Sequence, residues 1–390
     1  MIVDTDTHAF PLEIFDQDFQ PRNLVDRIQS VLDTQFDLDV LWKSIYDQIK
    51  DSSWPECGLI ADFQKLPKII RHELKHKHEL GHLVHISDDL RSVHLDHMDF
   101  ATPSLNNQIN SSKLFCKVDR QVINCTPRPF RMLYTTETPL AINIMQAWNS
   151  GMSRICRDRN DLDFTLWLAM QDFDASMKEL QDYVDRDFFG IWLDERQPWA
   201  WQQDKMPLFD ICNQHRIPLY FHTVGLDDAP ISWVWDYNHP RYRAQYKKWP
   251  GPKFFYNGDR WLANIASLIT EGILDKFPDL RIVITEHGLN WIKPMQEFML
   301  SQGWADPVPY LQKNFWLTVE VEEENFIENA NYLGWDRLLF ATDYPHNDPG
   351  GMHRYKDVDL LQSCLPLNII SQQQYDLLTH QNYQLLKSRR

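Results

Sequence analysis

Short apolar runs that end in charged or imidazole side chains recur along this chain. Met1-Ile2-Val3 is apolar and β-branched, and polar residues alternate after it, so Asp4, Asp6 and His8 fall on one face of an extended segment. Ile217-Pro218-Leu219-Tyr220-Phe221 follows a helical-looking stretch, Met206 to His215, and predicts a strand covered on both faces with His222 at its exit. Leu280 to Thr285 repeats the arrangement and delivers Glu286-His287 just before Gly288, where the chain can turn. Arg337 to Thr342 repeats it again and delivers Asp343, followed by Tyr344-Pro345-His346. Between such runs, Phe173 to Tyr183, Leu262 to Leu274 and Ile292 to Leu300 carry helical patterning, so the alternation predicts repeated βα units and a parallel sheet. Closed into a barrel, such a sheet gathers the carboxyl ends of distant strands at one mouth, where carboxylates and imidazoles can share an ion.

Two segments exceed a minimal barrel. Residues 9 to about 113 form a long, mostly helical, His-rich insertion between the first and second strands, and residues 226 to about 260 form a second insertion rich in Trp, Tyr and Pro. Loops leaving the carboxyl ends of barrel strands wall the active site, so both insertions are expected to shape a substrate pocket. No Gly/Ser linker interrupts the 390 residues, and the expectation is one elaborated domain over 1–390.

Composition narrows the class. Hydrophobic residues make up 43% of the chain, and no apolar run approaches the roughly 20 residues a membrane span requires. With 55 acidic and 39 basic residues the formal charge is −16, which argues against a nucleic-acid backbone or an anionic membrane as partner. The six cysteines, Cys57, Cys116, Cys125, Cys156, Cys212 and Cys364, show no paired spacing, and scattered thiols point to a reducing, cytoplasmic compartment. The expected partner is a small-molecule substrate, with homo-oligomerisation left open.

Taken together, Asp4-Thr5-Asp6-Thr7-His8, Phe221-His222, Glu286-His287-Gly288-Leu289-Asn290-Trp291 and Asp343-Tyr344-Pro345-His346 resemble the signature of the amidohydrolase-related branch of the amidohydrolase superfamily. That branch includes aromatic-acid decarboxylases similar to resorcylate and aminocarboxymuconate semialdehyde decarboxylases. Val118 to Thr126 is similar to its second strand, Leu162 to Asp172 to its third and Phe188 to Leu193 to its fourth; Phe277 to Arg281 leads into its sixth, and Asn382 sits in a closing helix. The resemblance implies a distorted (β/α)8 TIM barrel. It also implies metal ligands at Asp6, His8, His222 and Asp343, with His287 as an acid–base group and Asp343 sharing in catalysis. Many members carry His-x-His at the first ligand pair; this chain has Asp6-Thr7-His8, as decarboxylase-like members do. One divalent ion is implied, zinc first, with manganese or iron suited to the same donors. Asp4 is expected to be structural, and His346 either supports the ligands or belongs to a loop.

A second metal pattern competes. His72-Glu73-Leu74-Lys75-His76 and His78-Glu79-Leu80-Gly81-His82 are consecutive His-Glu-x-x-His strings, which on a helix place two imidazoles one turn apart. The metzincin extension wants Gly where His85 stands and His where Asp88 stands, so the third ligand is badly matched. Seven histidines between His72 and His97 among charged residues make chance matches easy, and a solvated helix ending near Gly81 is the expectation.

Trp192, Trp199, Trp201, Trp233, Trp235, Trp249, Trp261 and Trp291 either line the mouth or pack the insertions; Arg196, Arg260 and Lys293 are candidate partners for a substrate carboxylate. The primary functional expectation is metal-dependent hydrolysis of a small, flat, anionic molecule through activated water. The alternative is non-oxidative decarboxylation of an aromatic or unsaturated acid. A binuclear oxygenase would need a bridging ligand from the fourth strand, where Trp192 stands with Asp194 or Glu195 nearby, and a catalytically silent partner subunit is the reading outside enzymology.

Overall fold

The computed structural model describes residues 1–9, 59–62, 84–86, 92–95, 116–125, 138–170, 172–194, 206–222, 260–319, 325–344 and 357–388, together with 105, 106, 109, 110, 113, 321 and 323. Its strands in chain order are β1 (Val3–Ala9), β2 (Leu59–Asp62), β3 (Val84–Ile86), β4 (Ser92–Leu95), β5 (Arg120–Cys125), β6 (Leu162–Trp167), β7 (Gly190–Asp194), β8 (Pro218–His222), β9 (Arg281–Thr285), β10 (Phe315–Val319) and β11 (Leu338–Phe340). Eight of them, β1 and β5 to β11, form a sheet in sequential order, and each neighbouring pair is parallel. Helices follow most of these strands, which gives the βα repeat of a distorted (β/α)8 barrel. A lone parallel bridge joins Thr7 of β1 to Tyr344, four residues past β11. The expected strands thus appear, and β10 is an eighth-sheet member that the hydrophobic pattern had not singled out.

The long insertion departs from expectation. Its described strands β2, β4 and β3 make a small antiparallel sheet, in which His85 pairs with His94 along the backbone. The stretch read as mostly helical therefore holds extended segments, consistent with the β-branched Val93 in Ser92-Val93-His94-Leu95. Both His-Glu-x-x-His strings and residues 226–259 lie outside the described residues. Among the described residues, no helix is long and apolar enough to cross a membrane.

The chain divides into two compact units, one comprising Met1–Phe164 with Thr342–Gln362, the other Thr165–Ala341 with Ser363–Arg390. In the first, α1 (Thr138–Cys156) buries Ile144, Met145, Trp148 and Met152, an i, i+1, i+4, i+8 stripe that packs a helix against a sheet. All seven residues of β1 are buried, polar ones included, so their side chains must find partners inside the protein.

In the second unit, helix α2 (Phe173–Tyr183) starts where Asp172 accepts the Ala175 N–H at 3.0 Å, an N-cap bond. α3 (Met206–His215) leads into β8, and α4 (Arg260–Thr270) with α5 (Ile273–Lys276) leads into β9. α6 (Ile292–Ser301), α7 (Val308–Asn314) and α8 (Phe326–Leu333) connect the later strands. β7 opens on Gly190 because β8 passes too close for a side chain: a Cβ there would stand 2.8 Å from the Pro218 carbonyl oxygen.

The amino ends of the later strands are tied down by buried amides. Asn314 gives its Nδ2 protons to the carbonyls of Pro278 (3.1 Å) and Leu280 (2.8 Å). Asn382 opens α11 (Asn382–Lys387), downstream of α9 (Asp357–Cys364) and α10 (Gln372–Asp376), and its Nδ2 donates to Trp335 O and Leu338 O, both at 2.7 Å. Arg281 closes the same end by donating to the Leu386 and Ser388 carbonyls at 2.8 Å.

Candidate metal centre

Polar side chains crowd the carboxyl end of β1 in the first unit. His8 Nε2 stands 3.3 Å from Asp6 Oδ1 and 3.1 Å from Asp343 Oδ1, and the three side chains are 7% exposed or less. Two carboxylates flank one imidazole with almost no water to screen them. That arrangement is costly unless a cation or proton joins it.

The donor set fits a divalent ion. Donors bound at about 2.1 Å to one ion stand roughly 3.0–3.4 Å apart, which is the spacing around His8 Nε2. Asp6 supplies an independent sign: its Oδ1 accepts the Asn124 Nδ2–H at 2.6 Å, while its buried Oδ2 has no hydrogen-bond partner among the described residues. A buried carboxylate oxygen left in that state is a lone pair awaiting a ligand.

Asp6 and His8 share this side by ordinary strand alternation, and a register slip in β1 sets Asp4 apart from them. Val3 and Asp4 pair with Arg120 and Gln121, whereas Thr7 and His8 pair with Ile123 and Asn124, so β1 spends three steps where β5 spends two. The extra residue is a β-bulge, and it reverses the alternation between Asp4 and Asp6. The single face expected for Asp4, Asp6 and His8 therefore does not form. Asp4 shares its side with Thr7, whose hydroxyl donates to Asp4 Oδ2 at 2.8 Å.

Asp4 instead fastens the segment that carries Asp343. Its carboxylate accepts the Thr342 N–H (3.0 Å), the Thr342 hydroxyl (2.5 Å) and the Asp6 N–H (3.2 Å) in addition to Thr7. Burial pushes the Asp4 carboxyl up to about 6, with the Thr342 bonds opposing the rise. On the other flank of Asp343, the His8 N–H donates to Tyr344 O at 2.8 Å. Asp343 itself sits at φ 54°, a left-handed conformation uncommon outside glycine and tolerated best by Asn and Asp. The neighbours on both sides hold it there.

His222 and His287 belong to the second unit. His222 is the last residue of β8, its backbone in register with Asp194 and Thr285; its side chain lies outside the described part. His287 lies two residues beyond β9 in a turn that begins with Glu286 at φ 58°. The Glu286 N–H donates to Thr318 Oγ1 at 3.2 Å, the Leu289 N–H to Glu323 Oε2 at 2.7 Å, and Trp291 Nε1–H to Gly288 O at 2.8 Å. Asn329 Nδ2 donates to Asn290 Oδ1, also at 2.8 Å.

Several side chains offered as pocket walls or substrate partners have other duties. Trp192 is buried and stacks on Tyr220 with centroids 6.4 Å apart, and Trp291 is buried against its own turn. Lys293 forms a surface ion pair with Glu328 and lies 5.3 Å over the Tyr332 ring. Arg196 and His346 lie outside the described residues, as do the side chains of Arg260 and Trp261. Conversely, Asn124 and Thr342 support the group around His8, and Glu323 holds the turn that carries His287, without having been anticipated. Asn124 ends the run Gln121-Val122-Ile123-Asn124, and a polar residue at the exit of an apolar strand was the available signal.

Comparison with known proteins bears on the fold and the family. The solved structure of IDCase from Metarhizium anisopliae superposes with a TM-score of 0.60 at 15% identity, covering 100% of this chain and 98% of that one. 5-Carboxyvanillate decarboxylase from Novosphingobium aromaticivorans, solved with manganese and 4-hydroxy-3-methoxy-5-nitrobenzoic acid, gives 0.59 at 16% identity over 99% of this chain and 95% of that one. A dihydroxybenzoic acid decarboxylase from Polaromonas sp. JS666, with manganese and 2-nitroresorcinol, gives 0.57 at 14% identity over 99% and 96%. At such identities the likeness establishes the fold. No curated protein matches the sequence. The amidohydrolase family model matches residues 120–373, well over half of the chain, and this protein therefore belongs to the amidohydrolase family of enzymes.

Proposed function

We propose that this chain is a metal-dependent enzyme that removes carbon dioxide from a small hydroxylated aromatic acid without an oxidant. The observation that carries the reading is the buried group of Asp6, His8 and Asp343, in which an acid replaces the imidazole of a His-x-His pair. The names of the decarboxylases that share the fold add support. By the family resemblance, Asp6, His8, His222 and Asp343 would hold the ion, and manganese in two of those relatives favours a hard divalent cation over the zinc expected first. When bound, such an ion would supply positive charge to offset that of the substrate's carboxylate.

The chain's own residues would do the rest. Asn124 keeps Asp6 oriented, and Asp4 and Tyr344 keep Asp343 in its left-handed conformation. An imidazole N–H of His287 gives its proton to the ring carbon that carries the carboxylate. The carbon–carboxylate bond then breaks, its electron pair restores the aromatic ring, carbon dioxide leaves, and His287 regains a proton from solvent. Free thiols at all five described cysteines support a reducing, cytoplasmic setting.

Hydrolysis is the second reading, favoured by Asp343 Oδ1 lying in a buried polar group where it can take a proton from water. The deciding experiment incubates protein loaded with manganese or zinc with 2,6-dihydroxybenzoate, 5-carboxyvanillate and a set of amides and lactones. Metal-dependent carbon dioxide release from a hydroxybenzoate is expected. Cleavage of amides or lactones alone would select hydrolysis, and protein that binds neither metal would defeat both readings.

A further inference from the structure

The turn after β9 holds a device that the reading of His287 as proton donor does not use. We propose that Glu323, a half-buried residue between β10 and α8, is a positioning residue for His287; this rests on the proton-transfer reading above. Glu323 Oε2 accepts the Leu289 N–H at 2.7 Å, so its carboxylate grips the backbone two residues beyond His287. It also fills the space above the intervening residue. Gly288 has φ 57°, and a Cβ added there would stand 2.7 Å from Glu323 Oε2 and 2.8 Å from its Cδ.

Those two facts interlock. A side chain at position 288 would expel the carboxylate, and a shorter residue at 323 would release the Leu289 N–H and leave a gap over the glycine. Thr318 fixes the turn before His287, Asn329 fixes it at Asn290, and the Trp291 indole N–H donates to the Gly288 carbonyl. Glu323 and Trp291 grip the N–H and the carbonyl of one peptide, Gly288–Leu289, just beyond His287. A charged acceptor suits that place, because a carboxylate holds a backbone N–H more firmly than a neutral oxygen does. Turn residues that aim a reacting group matter in proportion to the precision required, and a misplacement of about 1 Å can cost roughly 100-fold in rate.

The test compares Glu323→Ala, Glu323→Gln, Gly288→Ala and His287→Ala in the full-length protein loaded with manganese. Amide hydrogen exchange across residues 286–291 and thermal stability are read on each, and kcat and KM on the hydroxybenzoate that the wild type turns over. Glu323→Ala and Gly288→Ala should each speed exchange in the turn and lower kcat by about 10- to 100-fold, with KM and bound manganese unchanged. Glu323→Gln keeps an acceptor and should recover most of both readouts.

Exchange that stays at the wild-type rate in Glu323→Ala overturns the proposal without any need for turnover. So does faster exchange with kcat unaltered, which would make Glu323 a fold residue only. If His287→Ala itself retains full kcat, the proton-transfer reading fails instead, and the exchange data still report whether Glu323 holds the turn.

Discussion

Opposite ends of the same strands in the first unit use similar residues to opposite effect. At the amino ends, acids meet cations and N–H groups: the Ile2 N–H donates to Asp119 at 2.7 Å, Arg120 pairs with Asp163 at 2.8 Å, and Asp161 takes Lys113 at 2.5 Å and Arg159 at 2.8 Å. At the carboxyl ends, Asp6 and Asp343 crowd one imidazole, and Asp343 adds a left-handed backbone. The first arrangement lowers the free energy of the folded chain unaided. The second raises it until a cation arrives, so ion binding and folding are coupled there. In the second unit the amides of Asn314 and Asn382 repeat the amino-end theme with neutral groups.

The most severe way to break the contrast is Asp343→Asn. Asparagine tolerates the left-handed conformation, so the substitution removes charge while sparing the backbone. It should strip the ion and lower kcat by about 1,000-fold or more, a rise of some 4 kcal/mol in the barrier, while the metal-free protein melts no earlier than wild type. Elemental analysis, turnover and calorimetry check it. Retained metal would remove Asp343 from the ligand set.

Asn382→Ala probes the other end. Two buried carbonyls, those of Trp335 and Leu338, lose their donor, which should cost about 3 kcal/mol in urea unfolding and leave kcat unchanged. A fall in kcat at undiminished stability would erase the distinction between the two ends.

The smallest effect sharpens it. The Arg159 guanidinium, with Lys113, holds the Asp161 carboxyl well below the usual carboxylate range, against the opposing effect of burial. A carboxylate with a depressed folded-state pKa stabilises above its unfolded value, about 3.9, and loses that contribution as pH falls toward the folded value. Asp161→Asn should therefore destabilise by about 1 kcal/mol near neutrality, and the gap from wild type should close in denaturation curves taken below about pH 3. A gap that persists in acid would mean Asp161 acts by packing.

Much of this was legible from the chain because strand ends write their own pattern. Pro218 to Phe221 is apolar and stops at His222; Arg281 to Thr285 stops before Glu286 and His287. β10 went unread although Phe315-Trp316-Leu317-Thr318-Val319 is as apolar as the others, because the acidic run that follows it contains no histidine and reads as a solvated stretch. The side chosen by Asp4 was misread for a different reason: alternation assumes two residues per repeat, and only pairing with β5 reveals the slip. Glu323 was invisible for a third reason. Its partner, the Leu289 N–H, is 34 positions away in sequence, and one glutamate in the acidic stretch Glu320 to Glu324 looks like any other.

The slip in β1 carries a lesson for anyone who transplants this strand. Up to Asp4 the segment is written in one phase and from Asp6 onward in the other, so acids two positions apart take on separate jobs, a clamp and a prospective ligand. A graft that copies Asp4-Thr5-Asp6-Thr7-His8 into a regular, unslipped ladder would transfer the letters and lose the grammar.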